Sequence, residues 1–159
     1  MELDVRELRN ALGRFATGVC LITAVTEEGE ALALTANSFS SVSLDPPLVL
    51  WNLQNNSEVF GAYSGARNYA INVLAGNQQE LSSRYARKGD HLLDPEHFTP
   101  GENGGAPIIH DALVSFECSL DATHPGGDHL IIVGRVDAMH VRPEGEPLVF
   151  FSGAYRALA

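Results

Sequence analysis

The sequence predicts a mainly β fold with flanking helices, arranged as an antiparallel barrel. Three observations predict it. Short runs alternate apolar and polar residues, tight-turn residues separate the runs, and few helical stretches lie between them. A parallel sheet would need a helical crossover between successive strands. The 159 residues suit a single domain, 1–159, with a core large enough to stand without disulfide or metal staples.

Taken in order, residues 3–16 read as an amphipathic helix. Val5, Leu8, Leu12 and Phe15 recur at helical spacing, and Asp4 is placed to cap it with Glu7 three residues on. Gly18 turns the chain into a strand, Val19–Thr26, rich in β-branched residues. The turn Glu27–Glu30 and the return Ala31–Thr35 complete a hairpin. Pro46–Pro47 opens an apolar strand, Leu48–Leu53, since proline is tolerated at a strand entrance. A short helix is expected over Ser57–Tyr63, a strand over Tyr69–Leu74 and a helix over Gln78–Arg87. Residues 88–107 read as an irregular loop around Gly101–Gly105. Val114–Thr123 has period two over ten residues, so one face is buried and the other polar. A turn at His124–Asp128, a long strand Leu130–Met139 and a short one, Leu148–Phe151, follow.

Charge and motifs exclude several functions. The formal net charge of −10 opposes nucleic-acid binding and docking on anionic lipid, both of which need basic surface. No stretch is apolar enough to span a bilayer, and Met1–Asn10 has no apolar core segment, so a cytoplasmic protein is expected. Cys20 and Cys118 lie in apolar runs and read as buried thiols of a reducing compartment. Dinucleotide and phosphate-loop glycine signatures are missing, so any nicotinamide nucleotide is held without a Rossmann crossover. His124 and His129 flank a tight loop with Asp128, but their spacing matches no helix or strand face and no fourth ligand is evident, so no metal is expected.

One segment stands out. Thr35–Leu44 carries six small hydroxyl or amide side chains in nine positions, followed by Asp45–Pro46–Pro47. Such side chains are short donors that leave backbone N–H groups accessible, as a phosphate nest or a heterocycle edge requires. Chemistry alone leaves two readings open: a ligand cradle, or a polar strand connection full of local side-chain caps.

The motif series resembles the flavin reductase-like, FMN-binding split-barrel family. It runs Phe15–Val19, Thr35–Phe39, Ser41–Val49, Asn72–Leu74, Gln79–Ser82, Gly127–His129, then Pro147–Phe151 with Gly153 and Tyr155. The order is kept over nearly the whole chain. It is most similar to the short reductase components of two-component flavin-dependent monooxygenases. The resemblance implies a homodimer of Greek-key split β-barrels that binds FMN or FAD near the subunit interface, takes hydride from NADH or NADPH, and supplies reduced flavin to a partner monooxygenase. It also implies roles. Thr35, Ala36, Asn37 and Ser38 would line the isoalloxazine edge, continued by Val42 and Ser43. Ser40, Ser41 and Ser57 would face the ribityl phosphate, with Arg84, Arg87 and Lys88 supplying charge. His129 would be the catalytic residue beside the nicotinamide, and Tyr155 would contact cofactor. The competing readings are a non-catalytic flavin- or haem-binding split-barrel protein, and an oxidase that keeps its flavin and turns over its own amine substrate.

Overall fold

The computed structural model describes residues 2–159. Asp4 opens the first helix, α1 (Val5–Leu12), by accepting the N–H groups of Arg6 at 2.8 Å and Glu7 at 3.1 Å. The helix is shorter than its sequence pattern: past Leu12 the Gly13 carbonyl accepts the Ser152 N–H (2.8 Å), which ties the chain to a segment near its other terminus in sequence. No α1 residue is buried; Val5, Leu8, Leu12 and the following Phe15 all face outward.

The chain then makes β1 (Thr17–Gly18), β2 (Cys20–Val25), β3 (Ala31–Ala36), β4 (Ser40–Leu44) and β5 (Pro47–Gln54). After α2 (Phe60–Ser64) come β6 (Asn68–Val73), a single 3-10 turn and α3 (Gln79–Ala86). Next are β7 (Phe98–Pro100), β8 (Pro107–Ile109), β9 (Val114–Gly126), β10 (His129–Val141), β11 (Val149–Phe151) and β12 (Ala154–Arg156). Seven strands form one sheet in the order β3-β2-β6-β9-β10-β5-β4, every neighbouring pair antiparallel. Its outer strands, β3 and β4, are not paired with each other. The fold is therefore mainly β and antiparallel, as the sequence predicts.

Three departures from the sequence reading have local causes. Ser40–Leu44, half of the polar segment, is itself a strand: it gains its ladder from β5 (Ser40 opposite Leu50, Leu44 opposite Pro47) despite the low strand propensity of serine. The presumed loop 88–107 holds β7, which pairs with β8, and a 3-10 turn capped by Asp94. The β9–β10 hairpin turns on Gly127 and Asp128 alone, with Gly127 at φ 68°, so His124 lies within β9 opposite Ile131.

Both faces of the sheet are covered, so β2 is buried along five consecutive residues. One side packs Ile22, Trp51, Leu53, Tyr69 and Ile132; Trp51 meets Tyr63 and Tyr69 edge-on at 5.6 and 6.2 Å. The other packs Leu21, Leu74, Tyr85 and Leu148. Cys20 and Cys118 are free and buried, and burial pushes both thiols up to about 12, which leaves them unreactive.

Candidate functional site

The end of β3, the C-terminal half of β5 and the start of β10 converge on a cavity of about 460 Å³. Thr35, Ala36, Asn37 and Ser38 form one wall. Ser57 and His129 face it, and Ala86 contributes from α3. Six of the residues named by the sequence are thus brought together from three separate stretches of chain.

Each wall is held from behind. Thr35 Oγ1 donates to the Ser82 carbonyl (2.7 Å), tying the end of β3 to α3. Ser38 Oγ accepts the Asn52 N–H at 2.9 Å, so a side chain takes the place of a missing ladder bond between the β3–β4 connection and β5. Ser57 Oγ accepts the Val59 N–H (3.3 Å) and shapes the turn before α2, which starts later than the sequence suggests. Asn55 holds the β9–β10 tip: its N–H reaches the Asp128 carbonyl (3.0 Å) and its amide the Gly127 carbonyl (3.1 Å).

At that tip His129 Nδ1 lies 2.6 Å from Asp128 Oδ1. A carboxylate only accepts, so Nδ1 carries the proton and Nε2 is the nitrogen left for a ligand. The hydrogen bond from His129, aided by its charge, holds the Asp128 carboxyl below the usual carboxylate range. Among the described residues that line the cavity there is no lysine or arginine.

The other sequence-named residues lie elsewhere. Ser40 lines an adjoining cavity of about 990 Å³ with Arg14 and Thr17, and its hydroxyl is donated to the Ser41 carbonyl (3.0 Å). Ser41, Val42 and Ser43 follow along β4 and line neither space. Tyr155 borders a third cavity of about 200 Å³, its Oη 2.6 Å from Ser82 Oγ. Asn37 is common to all three cavities, so they meet at the turn out of β3. Arg84 and Arg87 point away from all of them. Arg84 pairs with Asp94 (3.5 Å) and stacks over Tyr85; Arg87 pairs with Asp90 (3.3 Å). Helical geometry explains this: Ser82 and Ala86, four apart, face the cavities, while Arg84 and Arg87 share another face. Lys88 follows them, exposed beyond the helix end.

Among the lining residues that the sequence reading missed, two carry amides. Asn52 and Gln54 alternate with buried Trp51 and Leu53 along β5. The signal was present, since amides inside an apolar strand demand a partner. Asn52 borders both of the larger cavities named above, and its buried Oδ1 finds no partner in the protein. Thr17 Oγ1 is likewise unpaired at the edge of the 990 Å³ space. Unpaired buried groups are uncommon and call for a partner from outside the chain.

Residues 12–159 match the family model described as "Flavin reductase like domain". The chain is 47% identical over 150 residues to an FMN reductase (NADH), SmoA, of Agrobacterium fabrum, covering 94% of this chain and 84% of that protein. It is 34% identical to the flavin-dependent monooxygenase reductase subunit HsaB of Rhodococcus jostii, covering 98% and 79%. Among solved structures, the Streptomyces globisporus NADH:FAD oxidoreductase in complex with NAD and FAD fragments superposes with a TM-score of 0.92 at 33% identity, over 100% of this chain and 98% of that one.

Proposed function

Because the chain belongs to the flavin reductase-like domain family, we propose that it is an NAD(P)H:flavin oxidoreductase that reduces FMN or FAD in the cavity at the end of β3 and supplies the reduced flavin to a monooxygenase. One observation supports this placement: the cavity walled by Thr35–Ser38, Ser57 and His129 is also lined by Asn52, whose buried Oδ1 has no partner in the protein. A flavin ring edge combines an N–H with carbonyls, and this wall combines that acceptor with small donors, so the residues fit the group.

When bound, a flavin would supply the hydride acceptor and a reduced nicotinamide the hydride, so the redox chemistry is that of the cofactors. The chain's part is to align and to stabilise. Asn37 and Ser38 would bind the ring edge and complement the negative charge that develops there, while Asn52 would accept from the ring N–H. Ser57 donates toward the ribityl phosphate. His129, its ring fixed through Nδ1 by Asp128, orients the nicotinamide with Nε2. No residue is required to move a proton in the transfer. A polar, open cradle suits a flavin that arrives oxidised and leaves reduced. Arg84 and Arg87, turned away and paired, are given no part in it.

The finer fold and assembly belong to the same reading. Only Asn37, Ser38 and Phe39 separate the edge strands β3 and β4. Four Cα–Cα steps reach at most about 14 Å, which supports a sheet curled until its edges approach each other, as in a split barrel. A homodimer would cover the exposed apolar residues of α1 and β4, Leu8, Leu12, Phe15, Val42 and Leu44. Two buried free thiols suit a cytoplasmic setting, and no helix among the described residues is long and apolar enough to cross a membrane.

A matrix of FMN, FAD and riboflavin against NADH and NADPH, followed at 340 nm, tests the activity. Oxidation that depends on added flavin is expected. Its absence in every combination would overturn the proposal in favour of a non-catalytic flavin-binding protein.

A further inference from the structure

A second polar constellation lies behind the cavity wall, and no step described above uses it. Glu58 directly follows Ser57. Its Oε1 accepts the backbone N–H of Gly89 and sits 2.9 Å from His91 Nε2. His91 is buried, with a side chain only 10% exposed, and its Nδ1 lies 3.1 Å from the Ala33 carbonyl. Both ring nitrogens therefore face oxygen atoms, the Glu58 carboxylate on one side and a backbone carbonyl on the other, and the ring bridges them.

Backbone bonds extend the constellation. Ala33 N–H donates to the His91 carbonyl (2.9 Å), and Leu93 N–H to that of Ala31 (2.9 Å), so this segment runs as an added strand along the outer edge of β3. Gly89, at φ 86°, makes the turn that leads there from α3, a conformation suited to glycine. Three segments are thus tied at one carboxylate: the turn bearing Ser57, the exit of α3 just past Ala86, and β3 just before Leu34 and Thr35. Each contributes lining to the cavity.

We propose that Glu58 and His91 are positioning residues, a strap that holds the Ser57 and Ala86 walls at the separation the flavin requires. The inference rests on the flavin reductase reading. Neither side chain lines the cavity, so the strap acts on the occupancy of the site and leaves hydride transfer untouched. It should therefore set flavin affinity in a protein that takes up and releases flavin in each cycle.

The test uses the full chain and the variants Glu58→Ala, His91→Ala, the double variant and Glu58→Gln. Steady-state kinetics with FMN varied at saturating NADH are read beside FMN affinity from fluorescence titration without nicotinamide. Each single alanine variant is expected to raise flavin KM and Kd about 10-fold, as coupled neighbours do, with kcat at saturating flavin kept within about 2-fold. The double variant should be no worse than the worse single one. Glu58→Gln, which keeps an acceptor for Gly89, should recover most of the affinity. Unchanged KM and Kd in Glu58→Ala, or additive losses in the double variant, would overturn the strap. Should an alanine variant not fold, His91→Gln carries the same test, since it keeps a single donor. Failure of the wild-type protein to reduce flavin would instead remove the activity; an active wild type with unaffected variants removes only the strap.

Discussion

Replacing Asn52 with leucine separates the stability of the site from its function. Asn52 Oδ1 is buried without a protein partner, while its N–H is already paired with Ser38 and its strand register with Ile131 is set by the backbone. A buried acceptor left unpaired costs about 1–3 kcal/mol; the half-buried residue places the expected value near about 1. Leucine has similar volume and suits a strand better than asparagine. The free protein should therefore gain about 1 kcal/mol, a rise in Tm of about 2–4 °C for a chain of this size. With flavin the sign reverses. Losing one hydrogen bond to the ligand weakens binding by about 5–10-fold, close to 1 kcal/mol. Ligand stabilisation at a fixed flavin concentration shrinks accordingly. Urea unfolding and thermal melts, each with and without FMN, measure both effects. An Asn52→Leu protein that is less stable when free and binds FMN as tightly as before would refute the reasoning, because the acceptor would then be serving the fold.

Three further outcomes are expected. His129→Ala should lower the rate of NADH oxidation at saturating flavin more than it weakens flavin binding; unchanged turnover with weakened flavin affinity would remove its assignment to the nicotinamide. Glu117 is fully buried in β9, and burial pushes its carboxyl up, but the Asn103 N–H (3.0 Å) and His140 Nε2 (2.7 Å) outweigh that and hold it below the usual range. Its contribution to stability is therefore present above the ordinary glutamate range and lost as pH falls through the lowered value. Glu117→Gln should destabilise the protein by about 1–3 kcal/mol at neutral pH and flatten that acid limb in pH-dependent urea titrations. Phe15→Glu, on the outward face beyond α1, should shift the protein toward monomer in sedimentation velocity, and a dimer unaffected by it would place the interface elsewhere.

How much of the fold could be read from the residues depended on how far each stretch is governed by its own pattern. The hairpin from β2 to β3 and the long β9–β10 pair follow β-branched runs and strict alternation, and their limits fall within three residues of those expected. β4 and β12 could not be read this way. Ser40–Leu44 has little propensity for a strand and exists because β5 offers it a ladder; Ala154–Arg156 exists because β11 does. Both are tertiary products, and periodicity within a short polar stretch carries no trace of a partner in another part of the chain. α1 shows the converse. Its amphipathic pattern is clear, yet within the chain its apolar residues stay exposed, so the spacing predicted the helix without predicting what it packs on.

The same distinction explains the site. Thr35–Ser38 and His129 were legible because small donors clustered at a strand end, and a histidine after Gly-Asp, have few structural explanations. Arg84, Arg87 and Lys88 looked equally suggestive as a cluster in sequence, but a helix distributes neighbours around its axis. Residues two or three apart in sequence need not face the ligand that residues four apart do, and α3 gives that face to Ser82 and Ala86. Their carboxylate partners, Asp90 and Asp94, are close enough in sequence to have been considered as pairs. Asn52 was obscured for the opposite reason: an apolar strand carrying Asn52 and Gln54 still reads as a strand, and the missing partner of the Asn52 oxygen is visible only in the structure. An acceptor whose burial the fold does not repay is thus a sharper pointer to a ligand than a concentration of charge, since charge has solvent and counter-ions to satisfy it and a buried oxygen does not.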